Sequence, residues 1–141
     1  MNPSTKLTRV ILVDDHPAIP RQVAQMLPKE FEVVETLEDG QGLLAAIKTH
    51  EPDVLVLDIT LPGMSGIQLA TQLRRDGCAV KIIFLTIHND PDYARAAFAA
   101  GGSVYVVKMR LATDLVPALQ AVMAGKRYLS PCAELKEVES Q

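Results

Sequence analysis

Five polar side chains in this 141-residue chain stand where apolar runs of strand length end, and together they could do phosphoryl chemistry. Asp14-Asp15 follow RVILV (9–13), Asp58 follows VLVL (54–57), Thr86 closes KIIFLT (81–86) and Lys108 follows VYVV (104–107). Three carboxylates brought together repel, and a lone lysine cannot neutralise them. A hard divalent cation can, because carboxylates, backbone carbonyls and water are the ligands Mg2+ prefers. A cation and Lys108 sharing the pocket would keep Asp58 ionised. Asp58 also lies between a rigid run and a Leu-Pro-Gly turn (61–63), so one oxygen could project as a nucleophile. An aspartate that attacks phosphorus forms an acyl phosphate. The metal, the Lys108 ammonium and the Thr86 hydroxyl would then clamp the new dianion, as phosphoryl transfer requires.

Each residue alone has a plainer explanation. A strand-end Asp is most often a helix N-cap or a turn residue. A strand-end Thr is usually a cap or edge filler, and a strand-end Lys is usually just solvated. What separates this set from coincidence is its joint occurrence on four strand ends, with the acid pair first and the lysine last.

The elements that must position these groups follow from hydrophobic period. Runs at 9–13, 31–35, 54–57, 81–86 and 104–107 read as strands. Between them, Ile19, Val23, Met26 and Leu27 are spaced as the inner face of a helix, and so are Leu43, Leu44 and Ile47. The spacing recurs with Ile67, Ala70 and Leu73, with Tyr93, Ala96, Ala97 and Ala100, and with Leu115, Leu119, Val122 and Met123. Pro52-Asp53, Pro62-Gly63, Asp76-Gly77, Asn89-Asp90-Pro91 and Gly101-Gly102 punctuate the joins. The order is (βα)5, an α/β chain. Strands apolar on both faces and separated by helices predict a doubly wound parallel sheet covered on both sides. In such sheets the working site lies beyond the carboxyl ends of the strands, at the switch point of the winding.

Composition bounds the rest. Apolar residues make up 48% and charged residues 22%, the balance of one soluble globular domain. A net charge of −3 leaves no electrostatic footprint for nucleic acid. With no Trp, three Tyr and three Phe, stacking platforms for single strands are few. Cys78 and Cys132 form no C-x-x-C pair and read as unpaired thiols in a reducing compartment. No run reaches the ~18 apolar residues of a membrane span, and the N-terminus meets Asp14-Asp15 where a signal peptide needs an apolar core. No membrane partner is expected, and the expected location is cytoplasmic.

The motifs ILVDDHP, DVLVLDITLPGMSGIQL, IIFLT and GGSVYVVK resemble, in order, the receiver domain of two-component response regulators. The likeness covers about residues 8–126, and DDHP and AVMAGKRYLSP are similar to the NarL/FixJ-type branch in particular. The resemblance implies a flavodoxin-like five-stranded sheet of order 2-1-3-4-5. It implies that Asp58 accepts phosphate from a sensor histidine kinase, and that Asp15, Asp58 and the Thr60 backbone carbonyl bind Mg2+ directly while Asp14 acts largely through water. Lys108 would bridge to the phosphoryl group. Thr86 and Tyr105 would be a switch pair, the hydroxyl moving toward phosphate and the ring turning inward. The output would be a reshaped surface of the fourth helix, fifth strand and fifth helix, a shift between two packings. Homodimers through that surface, or through the first and last helices, are both open.

Some positions depart from the family pattern. Val104 stands where Gly is common, and Met109-Arg110 replaces a more polar or acidic pair. Pro20 falls early in the first helix, where a late helix start is expected. The receiver is expected over 7–127, with 128–141 as a frayed helix end or linker. NarL/FixJ-type proteins continue into a DNA-binding helix-turn-helix domain. This chain offers no basic recognition helix, so contact with DNA is expected only through an output domain absent from it. Truncation from a longer regulator is the leading expectation, and a stand-alone receiver is its alternative.

Other signals are weaker. GQGLLA (40–45) fits a loose dinucleotide pattern, but Glu35, Glu38 and Asp39 crowd the pyrophosphate position, and a helix-starting loop explains it better. His16, His50 and His88 share no metal-site spacing. His50 is expected at an exposed helix end. His88 is expected at the pocket rim, where with Thr60 it would tune attack of water on the acyl phosphate. Two rival readings remain: a degenerate receiver acting as a binding module, and a phosphohydrolase of the haloacid-dehalogenase type. The latter needs a second Asp two residues after the nucleophile, where this chain has Thr60.

Overall fold

The computed structural model describes residues 7–87, 90–102 and 104–129. The strands are β1 (Thr8–Val13), β2 (Phe31–Leu37), β3 (Val54–Asp58), β4 (Lys81–Thr86), β5 (Val104–Val107) and β6 (Tyr128–Leu129). The helices are α1 (Ala18–Met26), α2 (Leu43–His50), α3 (Gly66–Arg75), α4 (Pro91–Ala99) and α5 (Leu111–Met123), with a 3-10 turn at Lys108–Arg110. All strand pairs are parallel, and the sheet order is β2-β1-β3-β4-β5-β6. The expected order 2-1-3-4-5 therefore holds, with one short strand added at the edge.

Alternation along the strands sorts the core into two layers. Ile11, Val13, Leu55, Leu57, Ile82, Phe84 and Tyr105 face α2, α3 and α4. Val10, Leu12, Val54, Val56, Ile83, Leu85, Val104 and Val106 face α1 and α5. Strand β3 is buried at every position, whereas β2 is only half-buried, as an edge strand is. Two covered faces explain the unbroken apolar runs of the central strands.

Local chemistry sets the helix starts. Ser65 caps α3 in a reciprocal box with Gln68: the Gln68 N–H donates to Ser65 Oγ at 3.2 Å and the Ser65 N–H donates to Gln68 Oε1 at 3.0 Å. Gly66, which opens α3, lies so close to the end of β3 that a Cβ there would sit 2.2 Å from the Asp58 carbonyl oxygen. Helix α1 begins at Ala18, before Pro20 rather than after it. The proline occupies the first turn, where an N–H would have no intrahelical acceptor. Pro117 lies inside α5, which continues past it.

Two further expectations change. Tyr128 and Leu129, read as tail, pair with Val104 and Tyr105 of β5. His50 does end α2, but it is half-buried, and its Nε2 lies 3.1 Å from Glu35 Oε1. GQGLLA is a helix-starting loop: Gly42 precedes α2 in a left-handed conformation, with φ 78°. Cys78 is a free thiol. His88, Cys132 and residues 130–141 lie outside the described residues.

Candidate functional site

Register brings the strand-end groups together. Val13 is paired with Leu57, which sets Asp14 beside Asp58. Asp58 is paired with Leu85, the neighbour of Thr86, and Thr86 with Val107, the neighbour of Lys108. Backbone bonds pin the loops: the Asp14 N–H donates to the Leu37 carbonyl and the Ile59 N–H to the Leu85 carbonyl, both at 2.9 Å. Asp14 and Asp58 are buried, Asp15 is exposed, and Lys108 reaches in from β5 with its side chain largely covered.

The Lys108 ammonium donates to Asp58 Oδ2 at 3.0 Å and pairs with Asp14 Oδ2 at 2.8 Å. The Thr60 N–H donates to Asp58 Oδ1 at 3.0 Å. These contacts stabilise the carboxylate, yet burial outweighs them and raises the Asp58 pKa above its ordinary 3.8, with the Asp14 charge pushing the same way. Lysine alone does not keep this acid as acidic as a solvated one. Three carboxylates face one ammonium, so two negative charges stay uncompensated.

The donor set fits a divalent cation. One oxygen each of Asp14, Asp15 and Asp58, with one nitrogen of His16, lie within 4.8 Å of one another. Among the described residues, the buried Asp14 Oδ2 has the Lys108 ion pair at 2.8 Å and no hydrogen bond. A buried carboxylate oxygen with unused lone pairs is costly unless a charge reaches it. Thr60 is exposed on the loop after β3. Thr86 and Tyr105 are both completely buried, and the Tyr105 ring already lies inside the sheet layer that faces α2, α3 and α4.

Residues 10–120 match the response regulator receiver domain family. This chain belongs to that family. The receiver domain is close to NarL-, DegU- and LuxR-type regulators. It is 31% identical over 125 residues to the transcriptional regulatory protein DegU of Brevibacillus brevis, covering 87% of this chain and 53% of that protein. The chain thus spans about half the length of that relative. Among solved structures, it superposes on a LuxR-family two-component response regulator from Aurantimonas sp. SI85-9A1 with a TM-score of 0.85 at 33% identity, over 96% of this chain and all of the other. It also superposes on the isolated receiver domain of RcsB from Salmonella enterica serovar Typhimurium, solved with the phosphomimetic BeF3−, with a TM-score of 0.79 at 27% identity. That match covers 94% of this chain and 99% of the RcsB domain.

Two groups escaped the sequence reading. His16 directly follows the acid pair, and its main-chain N–H donates to Asp14 Oδ1 at 2.8 Å, a turn that folds the ring back over the pocket. Adjacency to Asp14-Asp15 was the available signal, hidden by a search for spacing among histidines. The second group is a buried carboxylate in α5. Asp114 accepts two bonds from the Arg110 guanidinium, from Nε at 2.8 Å and Nη2 at 3.2 Å, and one from the Tyr128 hydroxyl. Arg110, a departure from the family pattern in the sequence, has its reason here.

Proposed function

We propose that this receiver domain is a phosphorylation-controlled switch in which Asp58 accepts a phosphoryl group from a sensor histidine kinase. The observation that carries the reading is the convergence of Asp14, Asp15 and Asp58 with Lys108 at the carboxyl ends of β1, β3 and β5. An Asp58 oxygen attacks phosphorus, a P–O bond forms and the donor's P–N bond breaks. The electron pair leaves on the donor imidazole nitrogen. Lys108, already on Asp58 Oδ2, neutralises charge on the phosphoryl oxygens as it develops. Asp14, Asp15, Asp58 and the Thr60 carbonyl would hold Mg2+, which would supply further charge neutralisation at the same oxygens.

Thr86, paired beside Val107 at the pocket, is the proposed sensor of the new group, and Tyr105 its partner on the neighbouring strand. Because Tyr105 is already inward, the change we propose falls on Thr86 and on the packing of α4, β5 and α5. Exposed apolar side chains stand in the loops after β3, β4 and β5: Met64, Ile87 and Met109. They give a kinase a surface to rest on around the pocket. Homodimerisation, and control of transcription through an attached DNA-binding domain, are proposed by likeness to the LuxR-type relatives. We take the receiver unit to run from residue 7 through Leu129, since β6 extends the expected limit at 127. No helix among the described residues is long and apolar enough to cross a membrane.

Incubation with a small phosphodonor and Mg2+, read by intact mass, tests the proposal. One phosphoryl adduct is expected, and Asp58→Asn should abolish it completely. Steady release of phosphate without an adduct would indicate an enzyme instead. Absence of any adduct would leave a binding module.

A further inference from the structure

Strand β6 and the residue before it are held from three directions. The backbone of Tyr128 and Leu129 pairs with Val104 and Tyr105 of β5. The Tyr128 hydroxyl donates to Asp114 of α5. Arg127 lies over the Phe98 ring of α4, with its Cζ 5.0 Å from the ring centre. A strand of two residues is too short to hold itself in a sheet, so the side-chain contacts secure it. Arg127 is exposed, where a cation–π contact adds little. The bond from Tyr128 to the buried Asp114 is therefore the main catch.

That catch is joined to the phosphoryl pocket by a short piece of chain. Asp114 is gripped by Arg110, from Nε at 2.8 Å and Nη2 at 3.2 Å. Arg110 ends the 3-10 turn that Lys108 begins, and the Leu111 N–H closes that turn on the Lys108 carbonyl. None of the turn's residues is buried, and Met109 between the two cations is 86% exposed. Besides its junctions with β5 and α5, the turn is located by the pocket at one end and the Asp114 fork at the other. In the pocket, Lys108 Nζ pairs with Asp14 Oδ2 at 2.8 Å and with Asp58 Oδ2 at 3.0 Å. A phosphoryl group on Asp58 sets anionic oxygens beyond the carboxylate. The ammonium must give up one of its present partners to meet them, and the turn moves with it. A guanidinium fork of two bonds is directional and tolerates little such movement.

We propose that Lys108, Arg110, Asp114 and Tyr128 form a relay through which phosphorylation of Asp58 loosens the Arg110 fork and releases β6 from the edge of β5. The inference rests on the proposed phosphorylation of Asp58, and it adds a route separate from the Thr86–Tyr105 pair. Release redirects the chain that leaves the domain after Leu129 and opens the edge of β5 at Val104 and Tyr105. The coupling is reciprocal: a change that frees β6 beforehand tightens the pocket's hold on a phosphoryl mimic.

Amide hydrogen exchange of the full chain in Mg2+, with and without BeF3−, tests the relay. BeF3− should speed exchange at Tyr128 and Leu129 by at least about fivefold, with the amides of β1 and β3 unchanged. Without BeF3−, Arg110→Ala and Tyr128→Phe should already exchange at those two amides as fast as the parent chain does with it. Both should bind BeF3− at least about fivefold more tightly than the parent. Tyr128→Phe removes a single oxygen and keeps the test decisive if Arg110→Ala fails to fold. In Thr86→Ala the response of β6 to bound BeF3− should persist. Binding of BeF3− to the parent with no change at β6, or no gain in affinity in Tyr128→Phe, would overturn the proposal. A response lost in Thr86→Ala while BeF3− still binds would overturn it too, since the effect would then run through the Thr86–Tyr105 pair. A parent chain that takes up neither BeF3− nor phosphate would sink the phosphorylation reading, and the relay with it.

Discussion

Two regions of this domain bury aspartates, and they answer the cost of burial in opposite ways. In α5, Asp114 is almost completely buried and receives an Arg110 fork and the Tyr128 hydroxyl. Burial and this bond to Asp114 raise the Tyr128 phenol above its ordinary 10.0, so it remains a donor at neutral pH. The arrangement closes on itself and ties the 3-10 turn after Lys108 to β6. At the strand ends, Asp14 and Asp58 are as deeply buried, yet share one lysine, and among the described residues Asp14 Oδ2 has that ion pair alone and no hydrogen bond. A buried charge compensated by its own chain is structure. One compensated incompletely is held in place by the rest of the fold and awaits something from outside.

Substitutions can break or sharpen this contrast. The largest effect is expected from Asp114→Ala, which removes a buried acceptor and leaves the Tyr128 hydroxyl unmatched. Urea unfolding should show a loss of about 2 kcal/mol at unchanged slope, with phosphoryl uptake by Asp58 preserved. An unchanged midpoint would show that the cluster is only decorative.

The pocket should behave with the opposite sign. Asp58 is held above its ordinary 3.8, so the folded chain binds that proton more tightly than the unfolded chain does. Its contribution is present below pH 3.8 and is lost as pH rises through the raised value. At pH 7 without divalent cations, Asp58→Asn should therefore raise the unfolding midpoint, and the gain should shrink as pH falls toward 3.8. Mg2+ at ten times its dissociation constant should stabilise the parent chain by about 1.4 kcal/mol, Asp58→Asn much less, and Asp114→Ala as fully as the parent. A destabilised Asp58→Asn in metal-free buffer would mean that the pocket is already satisfied. The smallest effect belongs to Tyr128→Phe, a loss of about 1 kcal/mol, seen as faster amide exchange at Tyr128 and Leu129 with the rest of the sheet unaltered.

Much of this was legible in the chain. Strand β3 is an apolar run because both its faces are covered, and Asp58 follows it because the strand's last residue lies at the rim. β2 delivers no polar group to the pocket, and it is an edge strand. The misses share a cause. Strand β6 is two residues long, too short for any period, and exists because β5 leaves a free edge and Asp114 anchors Tyr128. Arg110 and Asp114 are an i,i+4 pair that looks like any exposed helical salt bridge, and nothing local tells that the carboxylate is buried.

The sequence by itself determined the alternation of strands and helices and the identity of the groups at the strand ends. Both are encoded locally, in hydrophobic period and in the polar residue that stops each run. Only the tertiary structure decided which charges are compensated. That balance depends on register between strands far apart in the chain, on a turn that folds His16 over its neighbours, and on burial set by the helices of both layers.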